Sequence, residues 1–263
     1  MSIVGAPDFF PSQGLEKPKL IQTITQDDLD IGAPTGPAPK EFYEIPHFLT
    51  MCNPLATGAE TAFAAEIRKK FSFDGYPDPS MSDIIRSFRC IKGASTYIEV
   101  GIFDRGNLAY VSSFLSDDAL IVGVDTQAEE NRDDLLRKTL KPGQRYVSVI
   151  GNSRAPETVR QVKDVIGSRI VDAVFIDGDH TAFGAMCDYV NFGEMVRRGG
   201  HVLFHDSLWE GDESYKGVSA ALTEIDKVRP VYLVPARGGR CYRFMPAMFR
   251  DPLWGVVGIC PVP

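Results

Sequence analysis

The sequence predicts an α/β protein with a doubly wound, mostly parallel sheet of seven strands that ends in an antiparallel hairpin. Short, nearly continuously apolar segments alternate with helical segments from residue 94 onward, as expected for strands covered on both faces. Strict alternation of this kind favours right-handed crossovers between parallel strands. Near the C-terminus, two apolar segments flank ARGGR, a turn signal typical of a hairpin.

The chain divides into an irregular arm at 1–60, helices at 61–93 that are expected to cover the site, and the α/β core at 94–263. The arm is rich in proline and glycine without sustained periodicity. A disordered tail and a segment that wraps the core, covers a site or contacts a second subunit are both consistent with it, so a homodimer stays open. TGAETAFAAEIRKKF places an acid early and basic residues late, which suits the helix dipole. PSMSDIIRSFRCIKG predicts a second helix that Gly93 would end.

The elements of the core follow in order along the chain. The predicted strands are TYIEV (96–100), LIVGVD (120–125), RYVSVI (145–150), VDAVFID (171–177) and HVLFHD (201–206). The predicted helices between them are 106–115, 127–140, 156–166 and 181–197. The third helix has Pro156 in its first turn and Gly167 just past its end. GVSAALTEIDKVRP predicts a last helix, and VYLVP and RCYRFMP form the predicted hairpin.

Composition limits the classes of partner. The formal net charge of −7 argues against a nucleic-acid partner and against an anionic membrane surface, which both favour a basic face. The five cysteines are scattered without a CxxC pair, so neither a zinc knuckle nor a dithiol redox site is indicated. The N-terminal residues lack the pattern of a signal peptide, and no apolar stretch reaches the length of a membrane span. A cytoplasmic protein is therefore expected.

In a doubly wound sheet, ligands bind beyond the carboxyl ends of the strands. The first strand ends in EVGIFDRGN, where Gly101 and Gly106 flank a tight turn and Glu99 lies just before it. Close approach of a ligand to this backbone and glycines needed only for the turn are both consistent with the pattern. The stretch is not GxGxxG, which argues against a nicotinamide dinucleotide site and against an oxidoreductase.

The next two strand ends add polar groups for a nucleoside. Asp125 ends the second strand, where a carboxylate that accepts from ribose hydroxyls is found in both nicotinamide and adenosyl sites. Its alternative role is to cap the following helix. Asn152 and Ser153 follow the third strand in VIGNS, where small polar residues can lie against an adenine edge. Ser153 could also cap the next helix.

Charged residues converge at the fourth and fifth strand ends. If these strands are neighbours, Asp177 meets His205 and Asp206 in one small volume, because adjacent strands lie about 4.8 Å apart. Two carboxylates so close need a proton or a cation between them, and a hard divalent cation would fit. His180 follows three residues after Asp177 and could take a proton from a substrate hydroxyl. In the alternative, Asp179 caps the next helix and His180 only lines a loop.

With these residues together, residues 80–263 resemble the class I, Rossmann-like S-adenosylmethionine-dependent methyltransferases. Glu99-x-Gly101 resembles the family's first motif, which cradles the amino-acid part of the cofactor, and Asp125 matches its ribose-binding acid. GNS resembles the loop that flanks the adenine. The terminal hairpin separates this fold from nicotinamide-binding sheets.

Within that class the chain is most similar to small-molecule O-methyltransferases with a cation site. These include catechol O-methyltransferase, macrolide sugar O-methyltransferases and the cephalosporin-hydroxylase-like group labelled methyltransferase family 24. Their pattern, an Asp ending the fourth strand, a Lys or His three residues on and a pair ending the fifth, falls on Asp177, His180 and His205-Asp206. The resemblance implies methylation of a small-molecule hydroxyl with S-adenosylmethionine as donor. It also implies a cation at Asp177, His205 and Asp206, with Asp177 bordering the cofactor as well.

Two positions depart from the family pattern. His205 stands where metal-dependent relatives carry a carboxylate. Histidine is a poorer ligand for Mg²⁺ and a better one for Mn²⁺, iron or zinc, or it could simply form a hydrogen bond. Asp104 and Arg105 occupy the first turn where relatives often have glycine. These departures, and the unmatched arm, leave a non-catalytic cofactor-binding or assembly protein as the alternative function.

Overall fold

The computed structural model describes residues 44–71, 82–208, 216–235, 241–244 and 256–263. Eight strands of these residues form one sheet: β1 (Thr96–Val100), β2 (Leu120–Asp125), β3 (Arg145–Ile150), β4 (Val171–Ile176), β5 (Val196–Phe204), β6 (Tyr232–Pro235), β7 (Tyr242–Arg243) and β8 (Val256–Pro261). The α-helices of the same residues are α1 (Gly58–Phe71), α2 (Ser82–Ser87), α3 (Gly106–Val111), α4 (Glu130–Arg137), α5 (Pro156–Ile166), α6 (Ala182–Phe192) and α7 (Lys216–Asp226).

The sheet has the order β3-β2-β1-β4-β5-β8-β6-β7, and its first five strands are parallel. The chain reverses its direction of travel across the sheet between β1 and β4, which pair in register from Tyr97↔Ala173 to Val100↔Ile176. Crevices beyond the carboxyl ends of strands at such a switch point are the usual ligand sites of doubly wound sheets. The predicted fold class is therefore confirmed.

The antiparallel end of the sheet holds one strand more than predicted. The predicted hairpin is present, since β6 and β7 pair antiparallel through Tyr232↔Arg243. The C-terminal strand β8, to which the sequence analysis assigned no structure, lies between β5 and β6 and is antiparallel to both. Its residues Val257, Ile259 and Cys260 are fully buried, so this short apolar segment forms a central strand and not a tail.

Strands and helix ends match the prediction to different degrees. The bounds of β1, β2, β3 and α5 agree with it, and Pro156 and Gly167 occupy the expected positions at the ends of α5. In contrast, α6 ends at Phe192 and β5 begins at Val196, where a helix to residue 197 was expected. Tertiary pairing decides this boundary, because Val196 pairs with Val171 at the start of β4.

Two apolar clusters fill the two faces of the sheet. One joins the sheet to α5, α6 and α7, and the other joins it to α1, α2 and α3 and to the 3₁₀ helix His47–Cys52. Only the last part of the predicted arm lies in the described residues. Buried Arg86 holds it in place by donating to the carbonyl oxygens of Cys52 and Pro235, both at 2.7 Å. None of the helices in the described residues is long and apolar enough to cross a membrane.

Candidate functional site

The turns that follow β1, β2, β3 and β4 border one open cleft of about 620 Å³. Small-molecule sites are typically clefts of roughly 300–1,000 Å³. The residues predicted for the cofactor that line this cleft are Gly101, Asp125, Asn152, Ser153 and Asp177. Glu99 and Gly106 are not among its lining residues. The cleft therefore brings together predicted residues from four separate strand ends.

The turn after β1 needs glycine at its first position. Gly101 has a φ of +81°, and a Cβ built there would lie 2.1 Å from the carbonyl oxygen of Asp177. The ends of β1 and β4 thus touch through backbone, and no side chain fits between them. Gly106 instead begins α3, and its N–H donates to Asp104 Oδ1 at 2.8 Å. Its place is at the base of the helix and not on the wall of the cleft.

Arg105 braces the same turn and belongs to the lining of the cleft. Its backbone is left-handed, with a φ of +66°, and its side chain is 1% exposed. The guanidinium donates to Asp133 Oδ1 at 2.8 Å and to the carbonyl oxygens of Phe103 and Gln127. A buried arginine so fully bonded holds the loop in one shape. Sequence reasoning found Arg105 only as a departure from glycine and missed this role.

Asp125 links the turn after β1 to the end of β2. Its Oδ2 accepts from the backbone N–H groups of Ile102 at 3.0 Å and Phe103 at 3.1 Å. Its Oδ1 accepts from the N–H of Gln127 at 3.0 Å. The helix α4 begins later, behind Glu129, so Asp125 does not cap it. The carboxylate lies on the wall of the cleft, where its remaining lone pairs are available to a ligand.

The loop after β3 faces the loop after β4 across the cleft. Asn152 Oδ1 accepts from the N–H of Arg154 at 2.9 Å, which closes a tight turn. Ser153 does not cap α5, because the residue before that helix is Ala155 and no side chain caps it. Arg154 reaches Asp179 Oδ2 at 2.9 Å and so bridges the two loops. This ion pair joins residues 25 positions apart, and no local pattern in the sequence indicates it.

Glu99 is buried beneath the site instead of lining the cleft. It is 1% exposed, and its Oε2 accepts from Tyr97 Oη at 2.6 Å and Asn107 Nδ2 at 2.8 Å. Burial raises the pKa of Glu99 to about 8, against the opposing effect of these hydrogen bonds and with a smaller contribution from the charge of Asp177. At neutral pH this carboxyl group therefore retains a proton that the unfolded chain would have released.

Replacing Glu99 with Gln should make the stability of the chain less dependent on pH. The pKa of Glu99 is raised on folding from 4.5 to about 8, so its contribution is fully present below pH 4.5 and is lost as pH rises toward 8. Glutamine does not titrate and still accepts from Tyr97. We expect the difference in unfolding free energy, Glu99→Gln minus wild type, to rise across this range by on the order of a few kcal/mol. Urea denaturation at both ends of the range measures it, and a constant difference would contradict the assignment.

The second group of predicted residues forms a compact cluster beside the cleft. His180 Nε2 lies 3.2 Å from Asp177 Oδ1 and 3.4 Å from Asp206 Oδ2. His205 Nδ1 lies 3.2 Å from each of the same two carboxylate oxygens. The two imidazoles therefore flank a pair of carboxylates, as the strand order of the sheet requires. We call these four residues the Asp-His cluster.

Backbone geometry explains how the cluster forms. Strands β4 and β5 are adjacent and parallel, and the N–H of His205 still bonds to the carbonyl oxygen of Ile176 at 3.0 Å beyond the last strand pair. Asp206 adopts a φ of +48°, which returns its carboxylate to the sheet edge, where the residue is 4% exposed. Aspartate tolerates this left-handed conformation better than most residues. The Phe175 ring packs 6.0 Å from that of His205.

The charges and hydrogen bonds within the cluster shift the pKa values of its residues in the direction opposite to burial, and their effect is the larger one. Burial alone would lower the pKa of His180, but hydrogen bonds with Asp177 and Asp206 raise it to about 9. Burial also works against the charged form of His205, yet the two carboxylates hold the pKa of this imidazole well above its usual value. The pKa of Asp177 falls because His205 and His180 stabilise its charge more than burial penalises it. The cluster therefore stabilises two carboxylates.

The local alternatives for this loop are resolved in part. The residue that caps α6 is Thr181, whose hydroxyl accepts from the N–H of Gly184 at 3.0 Å. Asp179 supports that turn by accepting from the N–H of Thr181 and pairs with Arg154. The acidic segment 209–215, which follows the cluster along the chain, lies outside the described residues.

The donor set of the cluster fits a divalent cation. Ligand atoms of Asp177, His180 and Asp206 all lie within 4.8 Å of one another. One more atom is informative: Asp206 Oδ1 is buried and makes no hydrogen bond among the described residues. Buried polar atoms are normally bonded, so an unbonded carboxylate oxygen in this cluster indicates a missing partner. Carboxylate oxygens and an imidazole nitrogen suit such an ion.

Comparison with known proteins agrees with this geometry. Residues 98–207 match the family model described as "Methyltransferase domain". No curated protein sequence matches the chain. The matched range runs from β1 to just past Asp206, so it contains the cleft and the Asp-His cluster.

Solved structures of low sequence identity share the fold. An O-methyltransferase from Bacillus cereus in complex with SAH has a TM-score of 0.52 and 13% identity, covering 78% of this chain and 92% of its own. The O-methyltransferase TomG from Streptomyces achromogenes, solved with SAM, has a TM-score of 0.52 and 12% identity, covering 80% and 92%. A protein from Corynebacterium glutamicum has a TM-score of 0.51 and 15% identity, covering 79% and 91%. Residues 98–207 therefore match a methyltransferase domain, and the chain shares the fold of these solved O-methyltransferases.

Proposed function

We propose that this chain transfers a methyl group from S-adenosylmethionine to a hydroxyl group of a small molecule, with a divalent cation beside the acceptor. One observation carries the proposal: Asp177 belongs both to the wall of the cleft and to the Asp-His cluster. A donor bound in the cleft and an acceptor held at the cluster would therefore meet at one residue. The methyltransferase domain and the SAM and SAH bound to the structural relatives support the choice of donor.

The cleft offers groups for each part of the donor. Asp125 would accept from the ribose hydroxyls, and Asn152 and Ser153 would lie along the adenine edge. Gly101 and the turn behind it would receive the amino-acid part, which needs close approach to backbone. Glu99, buried under that turn, would act by supporting it through Asn107 on α3.

In the reaction, the acceptor oxygen forms a bond to the methyl carbon, the bond from carbon to sulfur breaks, and S-adenosylhomocysteine leaves. The methyl group is already activated by the sulfonium, so the protein mainly has to align the acceptor with it. A cation held by Asp177, Asp206 and His205 would lower the pKa of the acceptor hydroxyl. The carboxylates of Asp177 and Asp206 raise the pKa of His180 to about 9, and this effect would be offset once a cation neutralises their charge. His180 Nε2 would then be free to take the hydroxyl proton.

The first test is a thermal-shift comparison of S-adenosylhomocysteine with NADH on the full chain. A ligand at 100 times its Kd stabilises a folded protein by about 2.7 kcal/mol, or roughly 5–11 °C in Tm for a chain of this size. We expect S-adenosylhomocysteine to produce this shift and NADH to produce none. Stabilisation by NADH instead would replace the proposal with a dinucleotide-dependent oxidoreductase.

The second test asks for chemistry as well as binding. The chain is incubated with methyl-labelled S-adenosylmethionine and a library of sugars, phenols and other hydroxyl compounds, and label transfer is measured. Transfer to at least one hydroxyl class is expected. Binding of S-adenosylhomocysteine without transfer to any acceptor would favour the alternative of a non-catalytic cofactor-binding protein.

A further inference from the structure

Three of the five cysteines, which are scattered along the sequence, meet in the fold. Cys52 ends the 3₁₀ helix of the arm, Cys90 lies in the 3₁₀ helix Phe88–Ile91, and Cys241 directly precedes β7. The thiol of Cys52 is close enough to interact with those of Cys241 and Cys90. Without a CxxC pair, no local pattern in the sequence indicates such a group. We call these three residues the thiol cluster.

Hydrogen bonds hold the segments of the thiol cluster together independently of the thiols. The N–H of Cys241 donates at 2.7 Å to Oδ1 of Asn53, the residue after Cys52. Arg86 donates to the carbonyl oxygens of Cys52 and Pro235, both at 2.7 Å. The arm and the hairpin of β6 and β7 are therefore fixed to each other at the point where the thiols meet.

The three thiols differ in their access to solvent. Cys52 and Cys241 are 0% and 1% exposed, whereas Cys90 is half-buried. The contact with Cys52 and burial both raise the pKa of the Cys241 thiol, so this group stays protonated at neutral pH. A reagent in solution therefore meets Cys90 first, and the two inner thiols react only through it.

A buried positive charge lies beside the two inner thiols. The guanidinium of Arg86 belongs to a residue with 0% exposure, and its charge favours the thiolate form of both Cys52 and Cys241. The thiolate is the species that attacks a disulfide. Arg86 would thus stabilise the anion that forms at each step of an exchange reaction between these sulfurs.

The arrangement suits a bond between two sulfurs better than a metal ion. A metal site needs ligand atoms that are all close to one another, and in the part of the chain that the structure describes only Asp177, His180 and Asp206 bring three within 4.8 Å. Cys52 instead interacts separately with each of its two neighbours. Contact in pairs is what thiol–disulfide exchange requires.

We infer that the thiol cluster is a site of reversible oxidation, which a small-molecule disulfide enters at Cys90 and which ends as a disulfide between Cys52 and Cys241. The Cys90 thiolate attacks the reagent, and a mixed disulfide forms as one reagent thiol leaves. Cys52 then attacks the Cys90 sulfur and releases the second reagent thiol. Finally Cys241 attacks the Cys52 sulfur, which returns Cys90 as a thiol. Two protein thiols are oxidised, and one reagent disulfide is reduced to two thiols that carry the two protons.

The new bond would tie the arm covalently to the end of the sheet. Cys52 and Cys241 belong to the same apolar cluster, on the face of the sheet that α1 and α2 cover. A disulfide between residues far apart in the sequence restricts the unfolded chain, and its effect on stability grows with the length of the closed loop. We therefore expect the oxidised chain to have a Tm about 5–15 °C above that of the reduced chain.

The test uses the full chain, which is reduced and then incubated with oxidised glutathione. The reaction is stopped with acid, free thiols are blocked under denaturing conditions, and disulfides are mapped by mass spectrometry of a digest made without reductant. We expect the peptides of Cys52 and Cys241 to be linked and Cys90 to be blocked as a free thiol. Dithiothreitol should remove both the link and the rise in Tm.

Variants separate the roles of the thiols. Cys90→Ala should slow formation of the bond by about tenfold or more and leave the same final pair, because it removes the accessible thiol. Cys52→Ala should remove the bond. Cys260 offers a matched control, since it is fully buried and its sulfur lies 4.0 Å from the hydroxyl of Tyr189, so Cys260→Ala should oxidise like the wild type. The wild-type map alone decides the final pair if Cys52→Ala does not fold.

Three results would overturn the inference. The first is a map in which Cys52 and Cys241 stay unlinked or in which the final bond involves Cys90. The second is equal rates of oxidation in the wild type and in Cys90→Ala. The third is a reduced chain that holds Zn²⁺ and in which the ion protects all three thiols, which would make the cluster a metal site. The outcome is independent of the proposed methyl transfer, which uses none of these residues.

Discussion

Replacing His180 with Ala should lower the rate of methyl transfer by about 10²- to 10⁴-fold while leaving the affinity for S-adenosylhomocysteine nearly unchanged. His180 Nε2 faces Asp177 and Asp206 in the Asp-His cluster, and the residue does not line the cleft proposed for the donor. Its loss should therefore remove the proton acceptor and not the cofactor contacts. Steady-state kinetics on an identified acceptor and calorimetric titration with S-adenosylhomocysteine measure the two effects.

His47→Ala serves as the control for this prediction, because His47 is exposed and lies in the arm, away from the cluster. It should keep both turnover and cofactor affinity. Parallel losses of turnover and affinity in His180→Ala would assign this residue to folding or cofactor binding and remove it from proton transfer. An unchanged rate would instead leave the hydroxyl proton to be taken by solvent.

Replacing Gly101 with Ala should lower the free energy of unfolding by more than the cost of the backbone conformation alone. It should also weaken cofactor binding. Two costs combine at this position. A φ of +81° disfavours a Cβ by about 1–2 kcal/mol, and the new atom would lie 2.1 Å from the Asp177 carbonyl oxygen, which adds about 1–3 kcal/mol of overpacking. Separating the ends of β1 and β4 would also deform the wall of the cleft.

Gly93 offers a matched control, since its φ is +82° and a Cβ there would meet no atom within 4 Å. Gly93→Ala should therefore show only the conformational cost, and the difference between the two variants isolates the contact with Asp177. Urea denaturation measures both stabilities, and titration with S-adenosylhomocysteine measures binding. Equal destabilisation by the two substitutions would contradict the close contact of the two strand ends.

Parts of the fold that depend on local pattern could be predicted from sequence. The limits of α5 could be predicted because Pro156 and Gly167 act locally. Proline has a fixed φ that suits the first turn of a helix, and glycine has no side chain to restrict the backbone after the last turn. Strand β8 was missed, because a short apolar segment near the C-terminus has no local signal that distinguishes a central strand from a tail. Its place between β5 and β6 is set by burial against distant residues.

The site shows the same division. Asp177 and Asp206 lie about thirty positions apart in the chain. Their proximity could still be predicted from the sequence, because neighbouring parallel strands end at the same edge of a sheet. The bridge from Arg154 to Asp179 and the brace that Arg105 forms with Asp133 could not. Such ion pairs depend on where long side chains find buried partners, and many arrangements suit the same pattern of residues.

The sequence by itself thus determined the alternation of strands and helices and the chemistry that each strand end can present, because these depend on periodicity and residue type. Only the tertiary structure decided that Glu99 lies buried with Tyr97 and Asn107 and that Asp125 accepts from the turn after β1. It also decided that two imidazoles flank one pair of carboxylates. The physical reason is that distances and burial come from packing between segments far apart in the chain, which no local pattern encodes.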